Sequence, residues 1–274
     1  MKILFIYNHQ YPDMWQDGLF AAIELLSKKH DLTKVNIAKE KLPEENLDYD
    51  FILGWGAFGS PVDQTIQMLR ELHKIVAKFG LCVAGNAFPF KTQKYDVLYY
   101  ETEWAKKWIT DTAEHDVPEL IHAFGYNSKI YERQTEYDEP MLWDYVTVGA
   151  FANWKRQDKL LDKKGYRLAI GEIQKDNLSE SMKIIGPLLM DGVMVSDMQS
   201  PWELAKIFHQ TCYVYIPADT FGGGERAVIE AKACGTTVEI EEDNSKLREL
   251  LKSDTLSWTE HYYAAQLESG FSKA

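Results

Sequence analysis

The sequence has few cysteines and no long apolar segment. Its three cysteines, Cys82, Cys212 and Cys234, are far apart and follow no C-x2-C or Cys/His spacing, so neither a disulfide framework nor a structural zinc site is indicated. No apolar run reaches the roughly 18 residues that span a bilayer, and the apolar start at residues 3–7 is too short for a signal peptide. We therefore expect a cytoplasmic protein without a membrane span.

Positive charge is also scarce. The chain has 30 lysines and arginines against 42 aspartates and glutamates, which gives a net charge of −12. Nucleic-acid binding normally depends on many Lys and Arg contacts to phosphate, and the average surface of this chain repels phosphate. The charge balance therefore argues against extended, non-specific DNA binding.

The 274 residues are 45% hydrophobic, enough for two small domains. Short β-rich runs alternate with segments of helical periodicity along most of the chain, which predicts α/β domains with parallel sheets covered on both faces. The predicted strands are residues 2–7, 35–37, 50–55, 81–84, 97–100, 145–148, 166–170, 184–185, 212–216 and 237–240. The predicted helices begin near residues 19, 66, 104, 202, 225 and 257.

A polar, acidic stretch at residues 133–140 interrupts this alternation and is predicted to be a linker. It separates a first domain, residues 1–138, from a second, residues 139–256, with residues 257–274 as a terminal helix. Two open α/β domains in tandem place the carboxyl ends of their sheets on either side of a cleft, where such folds bind ligands. We expect the function to reside there.

A glycine-rich turn gives the strongest local signal. The predicted strand at residues 212–216 ends at Pro217, and a helix begins near Glu225 and Arg226 after three consecutive glycines, Gly222, Gly223 and Gly224. Glycines let backbone amides approach a ligand closely, and a helix N-terminus carries unpaired N–H groups and a partial positive charge. The pattern suits phosphate or sugar hydroxyls, although a plain flexible turn is the alternative.

This segment resembles the signature of family 4 and related retaining glycosyltransferases (glycosyl transferases group 1). Residues 229–238, Ile-Glu-Ala-Lys-Ala-Cys-Gly-Thr-Thr-Val, match the latter half of that signature closely. The resemblance implies that Glu230 binds the ribose hydroxyls of a nucleotide-sugar donor. The family's first glutamate falls at Gly222, and Glu225 is the candidate to replace it, as a catalytic residue that contacts the donor sugar.

A second match lies before the first. Val146-Thr-Val-Gly149-Ala-Phe-Ala-Asn-Trp-Lys155-Arg156 resembles the first strand and loop of the family's donor domain, where Gly149 lines the donor site. Lys155 takes the place of the diphosphate-binding lysine, which is also catalytic because it stabilises the leaving group. Ala150 stands where the family has arginine, so Arg156 or Arg226 is expected to supply the second cation.

The loop after the first strand matches the family's loop that faces the donor. The acceptor-side candidates in it are His9, Trp15, Asp17 and Gly18, and Asp17 or His9 is a candidate base because both can take a proton. Asp17 is also a natural N-cap for the following helix, which leaves a structural alternative.

The resemblance implies a GT-B fold: two Rossmann-like domains facing a cleft, with the C-terminal helix crossing back to the N-terminal domain. It implies a hexosyl- or pentosyltransferase that moves a sugar from a nucleoside diphosphate, such as a UDP-sugar, with retention of configuration and no cofactor. Asp48 and Asp50 form a D-x-D, a metal motif of another glycosyltransferase fold, but they precede a strand and are interpreted as turn residues. We therefore expect no metal.

The expected acceptor is a hydroxyl of a glycan, of a small molecule, or of a hydroxymethylated base in phage-type DNA, with the net charge weighing against the last. The alternative is a non-catalytic nucleotide-sugar-binding protein derived from a glycosyltransferase. Gly222 and Ala150, which stand where the family has charged residues, keep that alternative open.

Overall fold

The chain forms two compact units in a computed structural model that describes residues 1–10, 16–43, 48–72, 77–84, 94–113, 118–133 and 140–273. Unit 1 consists of Met1–Gly125 and Trp258–Ala274, and unit 2 consists of Tyr126–Ser257. The predicted linker at residues 133–140 lies, except for its two ends, outside the described residues.

Unit 1 is built on a parallel sheet. Its strands are β1 (Lys2–Tyr7), β2 (Asp31–Asn36), β3 (Phe51–Gly56), β4 (Lys78–Val83), β5 (Val97–Tyr100) and β6 (Glu119–His122), in the order β2-β1-β3-β4-β5-β6. The central strands are apolar runs because both faces are covered, by separate clusters of buried residues. The helices of its first segment are α1 (Gly18–Ser27), α2 (Pro61–Leu72) and α3 (Glu103–Thr112).

Unit 2 contains a second parallel sheet. Its strands are β7 (Trp143–Val148), β8 (Arg167–Ile170), β9 (Met194–Ser196), β10 (Thr211–Ile216) and β11 (Thr237–Ile240), in the order β11-β10-β7-β8-β9. Its helices are α4 (Leu178–Met190), α5 (Pro201–His209), α6 (Glu225–Ala233) and α7 (Ser245–Lys252). The strand order reverses between β7 and β10, and open α/β sheets bind ligands at the carboxyl ends of the strands at such a reversal.

The last helix, α8 (Glu260–Lys273), belongs to unit 1 and packs against α1 and β6. Leu267 and Phe271 are buried in the same core cluster as Leu19 of α1. The predicted return of the C-terminal helix to the first domain is confirmed. Gly125 makes the entry of this segment possible, because a Cβ there would lie 2.6 Å from the Trp258 carbonyl oxygen.

One sequence prediction is wrong, and two strands and the short helix α7 were missed. Ile184 and Ile185 were predicted as a weak strand but lie in α4, where they are buried together with Leu188. Pro187 inside the helix obscures its pattern, because proline normally ends or bends a helix. β6 and β9, the missed strands, are short and lie at the edges of their sheets, so their sequence patterns are weak.

Candidate functional site

Two loops meet at the carboxyl end of the sheet in unit 2. The loop after β7 leads into a 3-10 helix, Asn153–Lys155, and the loop after β10 leads into α6. The second loop contains what we call the glycine turn: Gly222, Gly223 and Gly224. The Asp219 N–H donates to the Trp154 carbonyl oxygen over 3.3 Å, so the loops are joined at the point where the strand order reverses.

The glycine turn needs all three glycines for steric reasons. A Cβ on Gly222 would lie 2.1 Å from the carbonyl oxygen of Trp154, and Gly223 and Gly224 have φ angles of +75° and +104°. Gly224 is the N-cap residue of α6 and has no side chain with which to cap it. The turn therefore brings bare backbone to the amino end of a helix, where first-turn N–H groups and the helix dipole attract anions.

Lys155 reaches from the first loop to the second. Its aliphatic stem lies over Gly149, where a Cβ would be 3.2 Å from Lys155 Cδ, and its Nζ lies 3.0 Å from the position of a Cβ on Gly223. Burial lowers the pKa of Lys155 below its usual 10.5, while Glu225 acts to raise it. The ammonium group has no hydrogen-bond or ion-pair partner among the described residues.

Glu225 is the first residue of α6 and is buried. Glu225 Oε2 and Lys155 Nζ approach the same point, the position that a Cβ on Gly223 would occupy, and Oε2 lies 3.4 Å from it. The other carboxylate oxygen, Oε1, forms an ion pair with Lys246 of α7. The side chain of Lys246 is only 1% exposed. One carboxylate thus stands beside two lysines at the amino end of α6.

Glu230 and Arg226 lie one turn apart on α6. The Glu230 side chain is 4% exposed and that of Arg226 is 54% exposed, with 3.9 Å between Glu230 Oε1 and Arg226 Nε. Burial, and then the charge of Glu230, raise the pKa of the Cys234 thiol to about 12. The Glu230 carboxyl group therefore lies close to the Cys234 thiol and, on its other side, to Arg226.

Arg156 follows the 3-10 helix and is already engaged by protein groups. It has a left-handed backbone, with φ +49°, and its guanidinium makes a two-bond ion pair with Asp243, at 2.7 and 2.8 Å. Its Nε also donates to the Pro217 carbonyl oxygen over 2.7 Å. Arg156 therefore ties the two loops together, and its predicted contact with a donor stays a prediction.

Several buried residues that were not predicted from the sequence support these loops. Asn244 is fully buried, donates to the carbonyl oxygens of Ala218 and Asp219, and caps α7. Gln157 donates to the Gly149 carbonyl oxygen over 3.1 Å. Asn244 could have been predicted as an N-cap from the helical segment after it, but the roles of Gln157 and Lys246 depend on contacts distant in sequence.

The acceptor-side candidates belong to unit 1. Asp17 is buried and caps α1, because its Oδ1 accepts the Phe20 N–H over 2.9 Å. Gly18 is the first residue of that helix, and the His9 N–H donates to Asn36 Oδ1. Trp15 lies outside the described residues. The structural role considered for Asp17 is present, and its catalytic role stays a prediction.

Comparisons with known proteins give similarity at the level of structure. No protein-family model matches the sequence, and no curated protein matches it either. Solved structures match along nearly the whole chain. Sucrose-phosphate synthase from Thermosynechococcus elongatus has a TM-score of 0.66 at 11% identity, with 100% of this chain and 94% of that chain covered.

Two further matches were solved with uridine nucleotides. HepE from Anabaena in complex with UDP has a TM-score of 0.63 at 9% identity, with 100% of both chains covered. UDP-GlcNAc 2-epimerase from Neisseria meningitidis bound to UDP-GlcNAc has a TM-score of 0.55 at 12% identity, covering 97% of this chain and 94% of that chain.

These likenesses confirm the predicted fold, an α/β chain of the GT-B type with two Rossmann-like domains. Within the described residues, none of the helices combines the length and the apolar character that a membrane crossing requires.

Proposed function

We propose that this chain is a glycosyltransferase that moves a sugar from a nucleoside-diphosphate sugar to an acceptor hydroxyl. The observation that carries this proposal is the position of the Lys155 ammonium group beside the glycine turn, at the amino end of α6. A cation, a helix N-terminus and backbone free of side chains suit a diphosphate when they occur together. Structures that resemble this chain have been solved with UDP and UDP-GlcNAc, which supports the same ligand class.

The proposed chemistry exchanges one bond to the anomeric carbon for another. The bond from that carbon to the β-phosphate oxygen breaks, a bond to the acceptor oxygen forms, and the acceptor hydroxyl gives its proton to a base, for which Asp17 or His9 is the candidate. The departing nucleoside diphosphate takes up the negative charge of the broken bond. Lys155 and the first-turn amides of α6 lie where they would stabilise that charge, which is the main electrostatic contribution we propose.

The remaining donor contacts are proposed from the sequence resemblance together with the geometry. Glu230 is a buried carboxylate suited to accept two hydrogen bonds from ribose hydroxyls. Glu225 is proposed to contact the donor sugar through the oxygen that faces Gly223. Arg226, which is half-exposed, is proposed as the second cation for the diphosphate.

The acceptor and the stereochemistry are finer parts of the proposal. His9, Trp15, Asp17 and Gly18 are proposed to face the acceptor, which is a glycan, a small molecule or a hydroxymethylated base. We propose retention of anomeric configuration and no metal requirement, and a cytoplasmic enzyme. The net charge of −12 favours an uncharged acceptor over DNA.

The test begins with donors. The purified chain is screened with UDP-, GDP- and ADP-sugars by thermal shift, because a ligand at a hundred times its dissociation constant adds about 2.7 kcal/mol of stability. Donors that bind are then incubated with acceptors of each class, and free nucleoside diphosphate and glycosylated product are measured. We expect one donor class to stabilise the chain and to lose its sugar, with no change in rate when EDTA is added.

Each other outcome has a definite meaning. A chain that binds a nucleoside diphosphate but releases no sugar from any donor, with or without acceptor, is the non-catalytic binder. Conversion of UDP-GlcNAc into an epimer without acceptor would instead assign the chemistry of the epimerase that it resembles in fold. Inversion at the anomeric carbon, detected by NMR of the product, would contradict the proposed retention of configuration and leave the proposed glycosyl transfer standing.

A further inference from the structure

Lys246 is a buried lysine that the proposed function has not used. It lies in the first turn of α7, and its side chain is 1% exposed, so it cannot itself contact a donor. A buried charge without a counter-charge is strongly destabilising, so such a lysine needs a partner. Glu225 supplies the carboxylate, through its Oε1.

The same carboxylate also faces the proposed diphosphate ligand. Glu225 Oε2 and Lys155 Nζ lie 3.4 and 3.0 Å from one point, the Cβ position on Gly223. The two lysines approach Glu225 from different elements, Lys155 from the loop after β7 and Lys246 from α7. Only Lys246 makes an ion pair with it in the described part of the chain.

We propose that Lys246 is a positioning residue of the donor site, which holds the Glu225 carboxylate so that the ammonium group of Lys155 stays available to the donor diphosphate. This inference rests on the proposed function. The physical reason is competition, because a carboxylate and a phosphate beside the same ammonium group seek the same hydrogen-bond donors. A carboxylate committed to Lys246 competes weakly, and one released from Lys246 pairs with Lys155.

The charges around Lys155 agree with this arrangement. Burial lowers the pKa of Lys155 most, Glu225 then acts to raise it, and Lys246 acts to lower it. Loss of Lys246 would remove the repulsion between the two ammonium groups and leave Glu225 free to attract Lys155 more strongly. The Lys155 ammonium group would then be held by Glu225 instead of by phosphate.

The test compares Lys246→Met, Glu225→Gln and the double variant, with Lys252→Met as a matched control on the exposed side of the same helix. Binding of pyrophosphate and of UDP is measured by calorimetry. Neither ligand carries the transferred sugar, so the proposed contact of Glu225 with that sugar does not enter. We expect Lys246→Met to weaken both ligands at least about tenfold and the double variant to recover to within about threefold of wild type.

A second readout does not need a nucleotide. The pKa of Lys155 is measured in the ligand-free protein from the pH dependence of its acylation, by mass spectrometry. We expect the pKa of Lys155 to rise in Lys246→Met and to return to the wild-type value in the double variant. If Lys246→Met does not fold, Lys246→Gln replaces it, because an amide still donates to Glu225 but carries no charge.

The outcomes separate the two proposals. Unchanged ligand affinity in Lys246→Met, or a double variant as weak as the single one, would overturn the positioning role and leave Lys246 structural. If the wild-type chain binds neither pyrophosphate nor UDP, the proposed function fails instead. The Lys155 titration still decides the inference in that case, because an unchanged pKa in Lys246→Met contradicts it.

Discussion

Gly222 occupies a space that has no room for a side chain. A Cβ there would meet the Trp154 carbonyl oxygen at 2.1 Å and Ala218 Cβ at 3.1 Å. Because the first contact is with backbone, a larger residue must displace the 3-10 helix that carries Lys155. The glycosyltransferase signature that this segment resembles has a glutamate at this position. A Gly222→Glu substitution in this chain would clash with the backbone, so it cannot by itself place that glutamate.

We predict that Gly222→Ala lowers the free energy of unfolding by about 1–3 kcal/mol, the usual cost of overpacking, and weakens nucleoside diphosphate binding. The control is Gly186→Ala in α4, where a Cβ would meet nothing within 4 Å. Replacing a glycine inside a helix gains about 0.5–1 kcal/mol. Urea unfolding of both variants checks this, and a Gly222→Ala protein as stable as wild type would contradict the steric account.

Glu230 provides a second test at the residue scale. We predict that Glu230→Gln weakens UDP binding about tenfold or more, because a hydrogen bond to a charged group contributes about 1.5–3 kcal/mol and the amide carries no charge. Glu242→Gln, an exposed exchange of the same kind in unit 2, should leave binding unchanged. Calorimetric titration measures the UDP affinity of both variants. Equal affinities for Glu230→Gln and wild type would contradict the proposed contact of Glu230 with the ribose hydroxyls.

Sequence reasoning reached some of these residues and not others, for a physical reason. Lys155 and Gly222 stand in linear patterns next to strand ends, where a motif marks them. Lys246 is partnered by Glu225, 21 residues earlier in the sequence. In the sequence it looks like any surface lysine at the start of an amphipathic helix, because burial depends on the packing of α7.

At the scale of elements, a row of ion pairs joins β11 and the loop after it to residues 156–163, which follow the 3-10 helix that carries Lys155. The acidic residues of the row occupy every second position of the chain, and each forms an ion pair with a cation of the segment after β7. The pairs are Glu239 with Lys163, Glu241 with Lys159, and Asp243 with Arg156. The row fixes the segment that carries Lys155, and Tyr215 adds a hydrogen bond to Glu241.

This row predicts loss of stability in acid. Burial acts to raise the pKa of Glu241, but hydrogen bonds from Lys159 and Tyr215 outweigh it and hold the pKa below the usual 4.5. A carboxylate with a lowered folded-state pKa contributes stability that is present above its unfolded-state pKa and is lost as the pH falls through its folded-state pKa.

We therefore predict that wild type melts at a higher temperature than Glu241→Gln at pH 7, and that this gap closes as the pH falls below about 4.5. Melting curves recorded between pH 7 and pH 3 measure the gap. Glu242→Gln serves as the control and should melt with wild type throughout. A gap that persists unchanged to pH 3, or one that opens in acid, contradicts the assignment.

The elements themselves were largely predictable from the alternation of strands and helices. Besides the edge strands β6 and β9, the helices α4 and α7 were not predicted. The apolar residues of α4 are interrupted by polar ones and Pro187 lies within it, and α7 is short. The pairing of β7 with β10 was not predictable from either strand alone, because 62 residues separate their ends. That pairing is what brings Lys155 to the glycine turn.

At the scale of the whole molecule, cations gather at one place on an acidic chain. The net charge is −12, yet Lys155, Arg226 and Lys246 lie around the amino end of α6. Glu225 and Glu230 lie among these cations, so we expect the proposed anionic donor to be attracted by the lysines and the helix N-terminus together, whereas the average surface repels it. The fold was predictable from the sequence, through the resemblance of the segments around Gly149 and Glu230, even though the solved structures that match share about a tenth of their residues with this chain.

Diphosphate binding by Lys155 is the central claim of the proposed function. Its most direct test is calorimetric titration of UDP into wild type, Lys155→Met and Lys164→Met, the last being an exposed lysine in unit 2. We predict one site per chain in wild type, the same affinity in Lys164→Met, and at least about tenfold weaker binding in Lys155→Met, since tenfold corresponds to about 1.4 kcal/mol. Equal affinity for UDP in Lys155→Met and wild type would contradict the account.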